Sequence, residues 1–509
     1  MKKIKKALIS VYNKSEIIPL AKLLNNNNIE IISTGGTKKI LEKSNIPVQS
    51  VEEITDYPSI LGGRVKTLHP KIFGGILSRT DNQDDIDDLL EFNINAIDMI
   101  VVDLYPFQET IKHTNNNAEI IEKIDIGGVS LIRSGAKNYK EILVVPSCEQ
   151  LQEVIDLLSM QNGCSSLNDR LYFAKQAFNI TANYELSISN YFDCQTNTSS
   201  KLPNNFKHSI INSKQLRYGE NPHQEGIYYG NLSELFEKLN GKELSYNNLL
   251  DIDAAMKLMD EFKESCFGIF KHNNACGFAA HNKISTAWDK ALEADPISAF
   301  GGVLITNEII NIKTAQKIHK LFFEILIAKS FDSEALDLLK SKKNRIILKK
   351  KNAILEEVSF RTILNGVLCQ QRDYLNDQDD TKLVSNLNIS KTQMRDLLFA
   401  SKICKHTKSN AIVLVKDKQL LGSGCGQTSR IDALNQAITK AKHFGFSLEN
   451  AVMASDAFFP FPDCVEIAGK EGINAIIQPG GSKNDQLSID YCNNNNIGMI
   501  FTGNRHFKH

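Results

Sequence analysis

The sequence predicts an α/β protein, because short apolar runs repeatedly end in polar or glycine-rich turns and are followed by helical periodicity. Residues 4–11 form the first apolar run, and the pattern from Lys14 to Leu24 is helical. Ile29 to Ile32 forms a second run, which leads through two glycines into a helix from about residue 38 to 43. This order is typical of sheets that bind ligands at the carboxyl ends of their strands.

Length and composition indicate a cytosolic globular protein of two to four domains. The chain has 509 residues, 42% hydrophobic and 23% charged, and a formal net charge of zero. Zero net charge argues against general attraction to nucleic acid or a membrane surface. The sequence contains no run of about 18 apolar residues, so no membrane span is predicted. The ten cysteines show no Cys-x-x-Cys spacing. We therefore expect reduced thiols and no metal centre.

The turn Ser33-Thr34-Gly35-Gly36-Thr37 is a candidate phosphate-binding loop. Glycines let the backbone approach an anion, hydroxyls donate hydrogen bonds, and the following helix N-terminus favours negative charge. No Walker lysine follows, so a nucleoside triphosphate site is not predicted. For an isolated Gly-Gly pair, an ordinary strand-to-helix turn is the stronger interpretation.

A second polar group follows Gly62-Gly63 and contains Arg64, Lys66, Thr67 and His69. Two cations and a hydroxyl within four residues suit a nucleotide phosphate or a developing oxyanion. The alternative is a solvated basic loop. Residues 97–104 are a strand candidate that ends at Tyr105-Pro106, again at a carboxyl edge.

Asp125 lies among apolar residues just before Gly127-Gly128. A buried carboxylate needs a partner, and Lys66 or Lys137 is the candidate. The structural alternative is that Asp125 caps a helix over residues 129–136.

The chain divides near residue 200. Residues 170–192 read as one long amphipathic helix with Leu171, Ala174, Phe178, Ala182 and Leu186 on its apolar stripe. The segment from Cys194 to Asn205 is rich in Asn, Thr, Ser and Pro and predicts a linker. We therefore assign domains to residues 1–198 and 199–509.

In the second half, Lys271-His272 follows the apolar run Cys266 to Phe270. Histidine can act as a base near neutral pH, and lysine can stabilise or protonate a leaving nitrogen. A strand end with two solvated polar residues is the alternative, and for the dipeptide alone it is the stronger one.

Other patterns in this half exclude common cofactors. His223-Gln224-Glu225 is the first half of a zinc deaminase signature, but its Pro-Cys-x-x-Cys half is absent. The glycines of residues 420–430 are wrongly spaced for a dinucleotide fingerprint. The basic run over residues 340–352 is most simply a solvated face, and attraction of an anionic folate tail is a second hypothesis.

Taken in order, these motifs resemble the bifunctional AICAR transformylase/IMP cyclohydrolase family over the whole chain. The cyclohydrolase half is matched by Ser33 to Thr37, Gly62 to Pro70, Asp103 to Phe107 and Ile124 to Gly128, and the transformylase half by Arg217 to Gln224, Lys271 to Gly277 and Ser455 to Phe461.

The resemblance implies a methylglyoxal-synthase-like parallel-sheet domain followed by a duplicated, metal-free, cytidine-deaminase-like domain, with copies at residues 245–310 and 400–500. It implies transfer of formyl from 10-formyltetrahydrofolate to AICAR and closure of formyl-AICAR to IMP in a cytoplasmic homodimer, with no bound metal, membrane or nucleic acid. A zinc deaminase, a nucleotide- or RNA-binding module and a single-function relative are the alternatives.

The family's functional positions carry over to particular residues here. The implied catalytic residues are Lys271 and His272 for formyl transfer and Lys66, Tyr105, Asp125 and Lys137 for ring closure. Three positions depart from the residues expected: Asp103, Ala275 and Glu324. The implied substrate-binding residues are Ser33, Thr34, Gly35, Gly36, Thr37, Arg64, Thr67, Arg217, Tyr218, Asn248, Gly301, Glu324, Asn410, Arg430, Phe459, Asp463 and Arg505.

Overall fold

The chain forms two compact units, Met1–Ser209 and Ile210–His509. The structure is a computed structural model and describes residues 1–14, 16–195, 202, 205–353 and 357–509. The predicted boundary between residues 198 and 199 lies outside these described residues. Within them, no helix is long and apolar enough to cross a membrane.

The N-terminal unit is built on a parallel sheet of five strands in the order β4-β3-β2-β5-β6, packed between helices. Its inner strands are buried along almost their full length, as expected for a sheet covered on both faces. The short strands β1 and β7 pair separately. The elements are β1 (Lys2–Lys3), β2 (Lys6–Ser10), α1 (Ile17–Asn26), β3 (Glu30–Ser33), α2 (Gly35–Lys43), β4 (Gln49–Ser50), α3 (Val51–Thr55), α4 (Pro70–Leu77), α5 (Gln83–Glu91), β5 (Met99–Val102), α6 (Phe107–His113), α7 (Asn117–Glu122), α8 (Gly127–Lys137), β6 (Leu143–Val145), α9 (Leu151–Met160), β7 (Cys164–Ser165) and α10 (Leu167–Gln195).

The long helix predicted over residues 170–192 is present as α10, but its buried stripe differs from the predicted one. Leu171 is 50% exposed and Phe178 is 41% exposed. The stripe that packs on α8 and β6 lies one to two positions away. It consists of Arg170, Phe173, Ala174, Ala177, Thr181 and Tyr184. Two of its members are hydroxyl-bearing and one is an arginine, so apolar periodicity alone selected the wrong face.

The C-terminal unit is built on a mixed sheet of twelve strands in the order β10-β17-β15-β13-β11-β12-β22-β21-β23-β24-β25-β20. The first elements are β8 (Ser213–Gln215), β9 (Ile227–Tyr229), α11 (Leu232–Leu235), β10 (Phe236–Asn240), α12 (Tyr246–Met259), β11 (Cys266–Lys271), β12 (Asn274–Ala280), α13 (Ile284–Ala294), β13 (Val303–Thr306), β14 (Ile309–Ile310), α14 (Ile312–Ile318), β15 (Ile325–Ala328), β16 (Ser330–Phe331), α15 (Ser333–Lys340) and β17 (Ile346–Lys350). The remaining elements are β18 (Val358–Ile363), β19 (Gly366–Gln371), β20 (Lys382–Leu383), α16 (Lys391–Lys405), β21 (Ile412–Lys416), β22 (Gln419–Gly424), α17 (Arg430–His443), β23 (Val452–Ser455), α18 (Asp463–Lys470), β24 (Ala475–Gln478), α19 (Asp485–Asn494) and β25 (Gly498–Phe501).

This sheet consists of two copies of one motif, which confirms the predicted duplication, but the first copy extends to Lys350 and not to residue 310 as predicted. In each copy a helix precedes an antiparallel hairpin, and three further strands follow, the first antiparallel to the hairpin and the others parallel. The copies run from α12 to β17 and from α16 to β25, and they join where β12 pairs with β22. The repeat is visible in strand order although no repeat is apparent in the sequence.

Glycine allows the second hairpin strand of each copy to lie close to the following helix. A Cβ at Gly277 would lie 2.0 Å from the carbonyl oxygen of Ala291 in α13. In the other copy, a Cβ at Gly424 would lie 1.8 Å from the carbonyl oxygen of Ala433 in α17. Gly424 therefore serves close packing, and residues 420–424 belong to strand β22.

The basic run over residues 340–352 is not simply a solvated face. It spans the end of α15 and strand β17, and Arg345 is 6% exposed with its guanidinium 4.2 Å from the Phe323 ring centroid. Lys349 and Lys350 pair with Glu237 and Asp260. Several of its charges are therefore already compensated within the fold.

The C-terminal tail is anchored by a buried histidine. His506 is 5% exposed, and its Nδ1 and Nε2 lie 2.6 Å and 2.9 Å from carboxylate oxygens of Asp373 and Asp377. Burial alone would lower the pKa of His506, but the two carboxylates raise it to about 9. Farther along the tail, the backbone of Lys508 exchanges hydrogen bonds with Ser409.

We expect the His506 ion pairs to make stability fall at alkaline pH. The folded-state pKa lies above the unfolded value of about 6.5, so the contribution is complete below pH 6.5 and disappears as the pH rises through 9. Denaturant unfolding of wild type and His506→Gln at pH 6 and 10 measures it. Their difference in unfolding free energy should shrink by on the order of 3 kcal/mol. The exposed His443→Gln is the control, and a pH-independent difference for His506→Gln contradicts the prediction.

Candidate active sites

A cavity of about 580 Å³ opens in the N-terminal unit at the carboxyl ends of β2, β3 and β5. Parallel pairing brings these three ends to one edge of the sheet, as the sequence predicted. The predicted site residues that line this cavity, which we call the N-terminal pocket, are Thr34, Gly36, Thr37, Arg64, Lys66, Thr67, Tyr105 and Asp125.

Two helices begin at the N-terminal pocket. The first turn of α2 contributes Gly36 and Thr37, and α8 begins with Gly127 and Gly128. Unpaired backbone N–H groups and the helix dipole make such ends favourable for anions. Their convergence on one cavity makes a phosphate-binding role a stronger interpretation than an ordinary turn.

Lys66 reaches the pocket through a turn that requires glycine. Gly63 has φ +92°, and a Cβ there would lie 2.6 Å from Lys66 Cε and 3.0 Å from its Nζ. The aliphatic part of the Lys66 side chain therefore occupies the space that a side chain at residue 63 would need. Neighbouring Arg64 is 64% exposed in its side chain and is paired with the Glu122 carboxylate.

Asp125 lines the pocket, and its carboxylate also binds the first turn of α8, in which Ile126 is the N-cap residue. The Asp125 Oδ1 accepts a hydrogen bond of 2.7 Å from the Gly128 N–H. Burial raises the pKa of Asp125, while hydrogen bonds from the Gly128 and Tyr105 backbones and the charge of Lys66 oppose the rise. A carboxyl group in a pocket with a raised pKa is a candidate for proton transfer.

Tyr105 is held in an aromatic and cationic cluster. Its ring lies edge-on to Tyr12 at a centroid distance of 5.5 Å, and the Lys123 ammonium lies 5.1 Å from the Tyr12 centroid and 5.8 Å from that of Tyr105. Burial, reinforced by the negative charge of Asp125, raises the pKa of Tyr105. Its hydroxyl therefore remains a proton donor at neutral pH.

Three predicted residues of this half do not line the pocket. Ser33 is fully buried and donates its hydroxyl to the Ile9 carbonyl at 2.8 Å. Gly35 starts α2 beside the pocket. Lys137 is exposed at the last residue of α8, about 15 Å along the helix from Gly127. We therefore leave Lys137 out of the set that contacts a ligand in this pocket.

Sequence reasoning missed several pocket residues. Ser10 is the last residue of β2, and Tyr12 and Lys14 lie on the loop that follows. A strand that ends in a hydroxyl residue and is followed by a lysine was the available signal. Asp103, which departs from the residue expected, accepts a hydrogen bond of 3.0 Å from the Asn13 N–H and so secures that same loop.

In the C-terminal unit, Lys271 and His272 lie at the tip of the β11–β12 hairpin. The strand predicted over residues 266–270 is confirmed, and the antiparallel strand β12 follows it. His272 and Asn273 have φ of +50° and +65°, the conformation of a two-residue turn that matches strand twist. His272 is exposed. Ala275 is buried in β12 beside a bulge, opposite Phe270.

Two carboxylates approach this hairpin tip. Asp251 in α12 accepts a hydrogen bond of 2.7 Å from the Asn273 N–H, and burial raises its pKa against the opposing charges of His272 and Lys271. Glu324 accepts a hydrogen bond of 3.0 Å from the Asn248 amide. The sequence predicted Asn248 and Glu324 but not Asp251, which lies mid-helix without a distinctive pattern.

The loop before β13 completes this group, which we call the hairpin site. Lys271 donates its ammonium to the Phe300 carbonyl at 2.7 Å, and Gly301 follows with φ +73°. The predicted residues Lys271, His272, Asn248, Gly301 and Glu324 are thus gathered in one region of the first copy.

The second copy supplies an adjoining ion-pair cluster. Arg430 donates to Asp456 at 2.7 Å and to the Asn410 side-chain oxygen at 2.9 Å. Asp456 is 1% exposed. Asn274, in the hairpin, accepts a hydrogen bond of 3.2 Å from the Lys408 N–H, so this cluster lies next to the hairpin site.

The remaining predicted residues are placed individually. Phe459 is fully buried in the core, so its side chain does not line a site. Asp463 begins α18, and Arg505 lies exposed on the tail with its guanidinium 4.3 Å from the Phe507 ring centroid. Arg217 and Tyr218 stack on each other after β8, with 5.5 Å between the guanidinium and the ring centroid.

Within the described ranges, no group of three or more His, Cys, Asp or Glu side chains is arranged to hold a metal ion. All ten cysteines lie in those ranges and are free thiols.

Comparisons with known proteins agree with this architecture. Residues 16–130 match the MGS-like domain, and residues 135–440 match the AICARFT/IMPCHase bienzyme family. The bifunctional purine biosynthesis protein PurH of Bacteroides thetaiotaomicron is 53% identical over 100% of this chain and 99% of its own length. PurH proteins of Thermoanaerobacter sp. and Clostridium botulinum are 45% and 43% identical over 99% of this chain and 100% of theirs.

The chain is thus an α/β enzyme with a candidate site in each unit. It belongs to the AICARFT/IMPCHase family of bifunctional purine biosynthesis proteins. This confirms the resemblance read from the motifs. The activities are those of AICAR transformylase and IMP cyclohydrolase, and family membership implies a formyl folate cosubstrate.

Proposed function

We propose that the N-terminal pocket closes the ring of formyl-AICAR to give IMP. The observation that carries this proposal is the convergence of Lys66, Tyr105 and Asp125 with the starts of α2 and α8 on one cavity. The substrate phosphate binds at the start of α2, among Thr34, Gly36 and Thr37.

The reaction is intramolecular, so orientation supplies much of its rate. The carboxamide nitrogen attacks the formyl carbon, and the oxygen that gains negative charge is stabilised by the Lys66 ammonium. Tyr105 protonates this oxygen and recovers a proton from the former formamide nitrogen as the ring C=N bond forms. Asp125 takes a proton from the attacking nitrogen and returns it to the same oxygen, which leaves as water. The raised pKa values of both groups support these roles.

We propose that formyl transfer takes place at the hairpin site, with 10-formyltetrahydrofolate as donor. The AICAR amine is a poor nucleophile because it is conjugated with its ring and carboxamide. His272 removes its proton, while Lys271 stabilises the tetrahedral intermediate and assists the folate nitrogen as it leaves. Asn248, Glu324 and Arg430 orient the substrates. Neither step in this scheme uses a metal, and elemental analysis of the purified enzyme tests that point.

Lys66→Ala is expected to stop ring closure and spare formyl transfer. Loss of the only proposed oxyanion-stabilising cation should lower cyclisation by about 100-fold or more. Following tetrahydrofolate release and IMP formation together measures both steps, and formyl-AICAR should accumulate. Lys140→Ala, an exposed lysine of the same unit, is the control. Loss of both activities in a folded Lys66→Ala protein would overturn the assignment of two sites.

His272→Ala is expected to lower formyl transfer by about 100-fold or more, since the proposed general base is removed. Supplied formyl-AICAR should still be converted to IMP at the wild-type rate. The exposed His443→Ala variant is the control. Wild-type formyl transfer by His272→Ala would show that another group accepts the proton.

We also propose that the enzyme is a cytoplasmic homodimer. Free thiols at all ten cysteines support a reducing compartment. Strands β18 and β19 pair only with each other among the described residues, and the two strands and their turn expose apolar side chains: Ile363 at 42%, Leu364 at 101% and Leu368 at 51%. A two-stranded ribbon is marginally stable alone, so a second copy of the chain is the proposed cover.

Replacing Leu364 and Leu368 together by Asp is expected to shift the protein from dimer to monomer, because two charges would be buried at the proposed interface. Sedimentation velocity measures the change. Leu90→Asp, at an exposed leucine of α5, is the control. A double variant that remains dimeric with the wild-type dissociation constant shows that the hairpin does not form the interface.

A further inference from the structure

Tyr184 connects helix α10 to the segment that carries Asp125. The side chain is 8% exposed. Its hydroxyl accepts a hydrogen bond of 2.8 Å from the Asp125 N–H and donates one of 2.7 Å to the Lys123 carbonyl. One oxygen thus satisfies two backbone groups in the short connection between α7 and α8.

This connection contains Asp125 and contacts the ring of Tyr105 through Lys123, so it touches both proposed proton-transferring groups. On one side the Asp125 carboxylate is bound to the start of α8 through the Gly128 N–H. On the other, the Lys123 ammonium lies over the rings of Tyr12 and Tyr105. The Tyr184 hydroxyl binds the backbone of Lys123 and of Asp125, so it secures the residues whose side chains make these two contacts.

Tyr184 is itself rigidly held. Its ring packs edge-on against Phe107 at a centroid distance of 6.2 Å, in a small core with Ile120 and Val129. Burial strongly raises the pKa of Tyr184, so the hydroxyl keeps the proton that it donates to Lys123. A fixed ring and a permanent donor allow this side chain to define the position of the segment.

We propose that Tyr184 is a positioning residue for ring closure, which holds the Lys123 to Asp125 backbone so that Asp125 and Tyr105 face the substrate together. The inference rests on the proposed roles of Asp125 and Tyr105. Tyr184 does not line the pocket and acts through these residues.

Tyr184→Phe removes the bridge and keeps the ring. We expect kcat for ring closure to fall about tenfold, because catalytic groups displaced by a fraction of an ångström lose much of their effect. KM for formyl-AICAR should stay within about twofold of wild type, because the start of α2 is untouched. The limb of the kcat profile that reports the Asp125 ionisation should move by about 0.5 pH unit or more.

Tyr191→Phe is the matched control. Tyr191 lies on the same helix and packs on the same Phe107 ring at 5.8 Å, but its hydroxyl donates to Asn117 at 2.6 Å. Ring closure and its pH profile should match wild type. Phe107→Leu loosens the shared packing and keeps the Tyr184 hydroxyl. If it lowers kcat as much as Tyr184→Phe, packing explains the effect and the inference is overturned.

Asp125→Asn separates this inference from the proposed function. If it abolishes ring closure while Tyr184→Phe behaves as wild type, the role of Asp125 stands and that of Tyr184 falls. If Asp125→Asn itself retains ring closure, both fall. Formyl transfer, measured in every variant, should remain at the wild-type rate, and its loss in Tyr184→Phe would show general damage and overturn a local positioning role.

Discussion

Parallel pairing of β2 with β3 and β5 is the constraint on which the N-terminal pocket depends. It brings the ends of three strands to one edge of the sheet. A pocket residue follows each strand: Tyr12 after β2, Thr34 after β3 and Asp103 after β5. Helices α2 and α8 then begin at the same edge. The convergence of these helix starts on the pocket is therefore a consequence of strand direction, and helix starts with small residues are favourable places for anions.

In the C-terminal unit, duplication of one motif brings the candidate site residues together. Each copy presents a hairpin beside a helix, with glycine where strand and helix backbones nearly touch, and the two copies join edge to edge through β12 and β22. Lys271 and His272 lie at the turn of the first hairpin, and Arg430 is the first residue of helix α17, which follows the second hairpin. A carboxylate supports each group: Asp251 holds the hairpin tip, and buried Asp456 holds Arg430.

Sequence patterns located residues that line or approach the candidate sites more readily than the residues that support them. Glycine-flanked polar clusters identified Lys66 and Asp125, because few other arrangements place charge beside flexible backbone. Asp251, Tyr184 and Lys123 carry no local signal, since each is an ordinary helical or loop residue whose partners are distant in sequence. The same limitation applies to two further predicted residues: Lys137 lies at the far end of α8 from the pocket, and the side chain of Phe459 is buried in the core.

The sequence by itself determined the fold class, the family and the turns that present Lys66, Asp125, Lys271 and His272, because strand patterns, glycines and short motifs are local properties of the chain. Only the tertiary structure decided which face of α10 is buried, that the second half is a twofold repeat of strand order, and that Tyr184 secures the Asp125 segment. These features depend on contacts between residues about 30 or more positions apart, and a linear pattern does not encode which distant groups will meet.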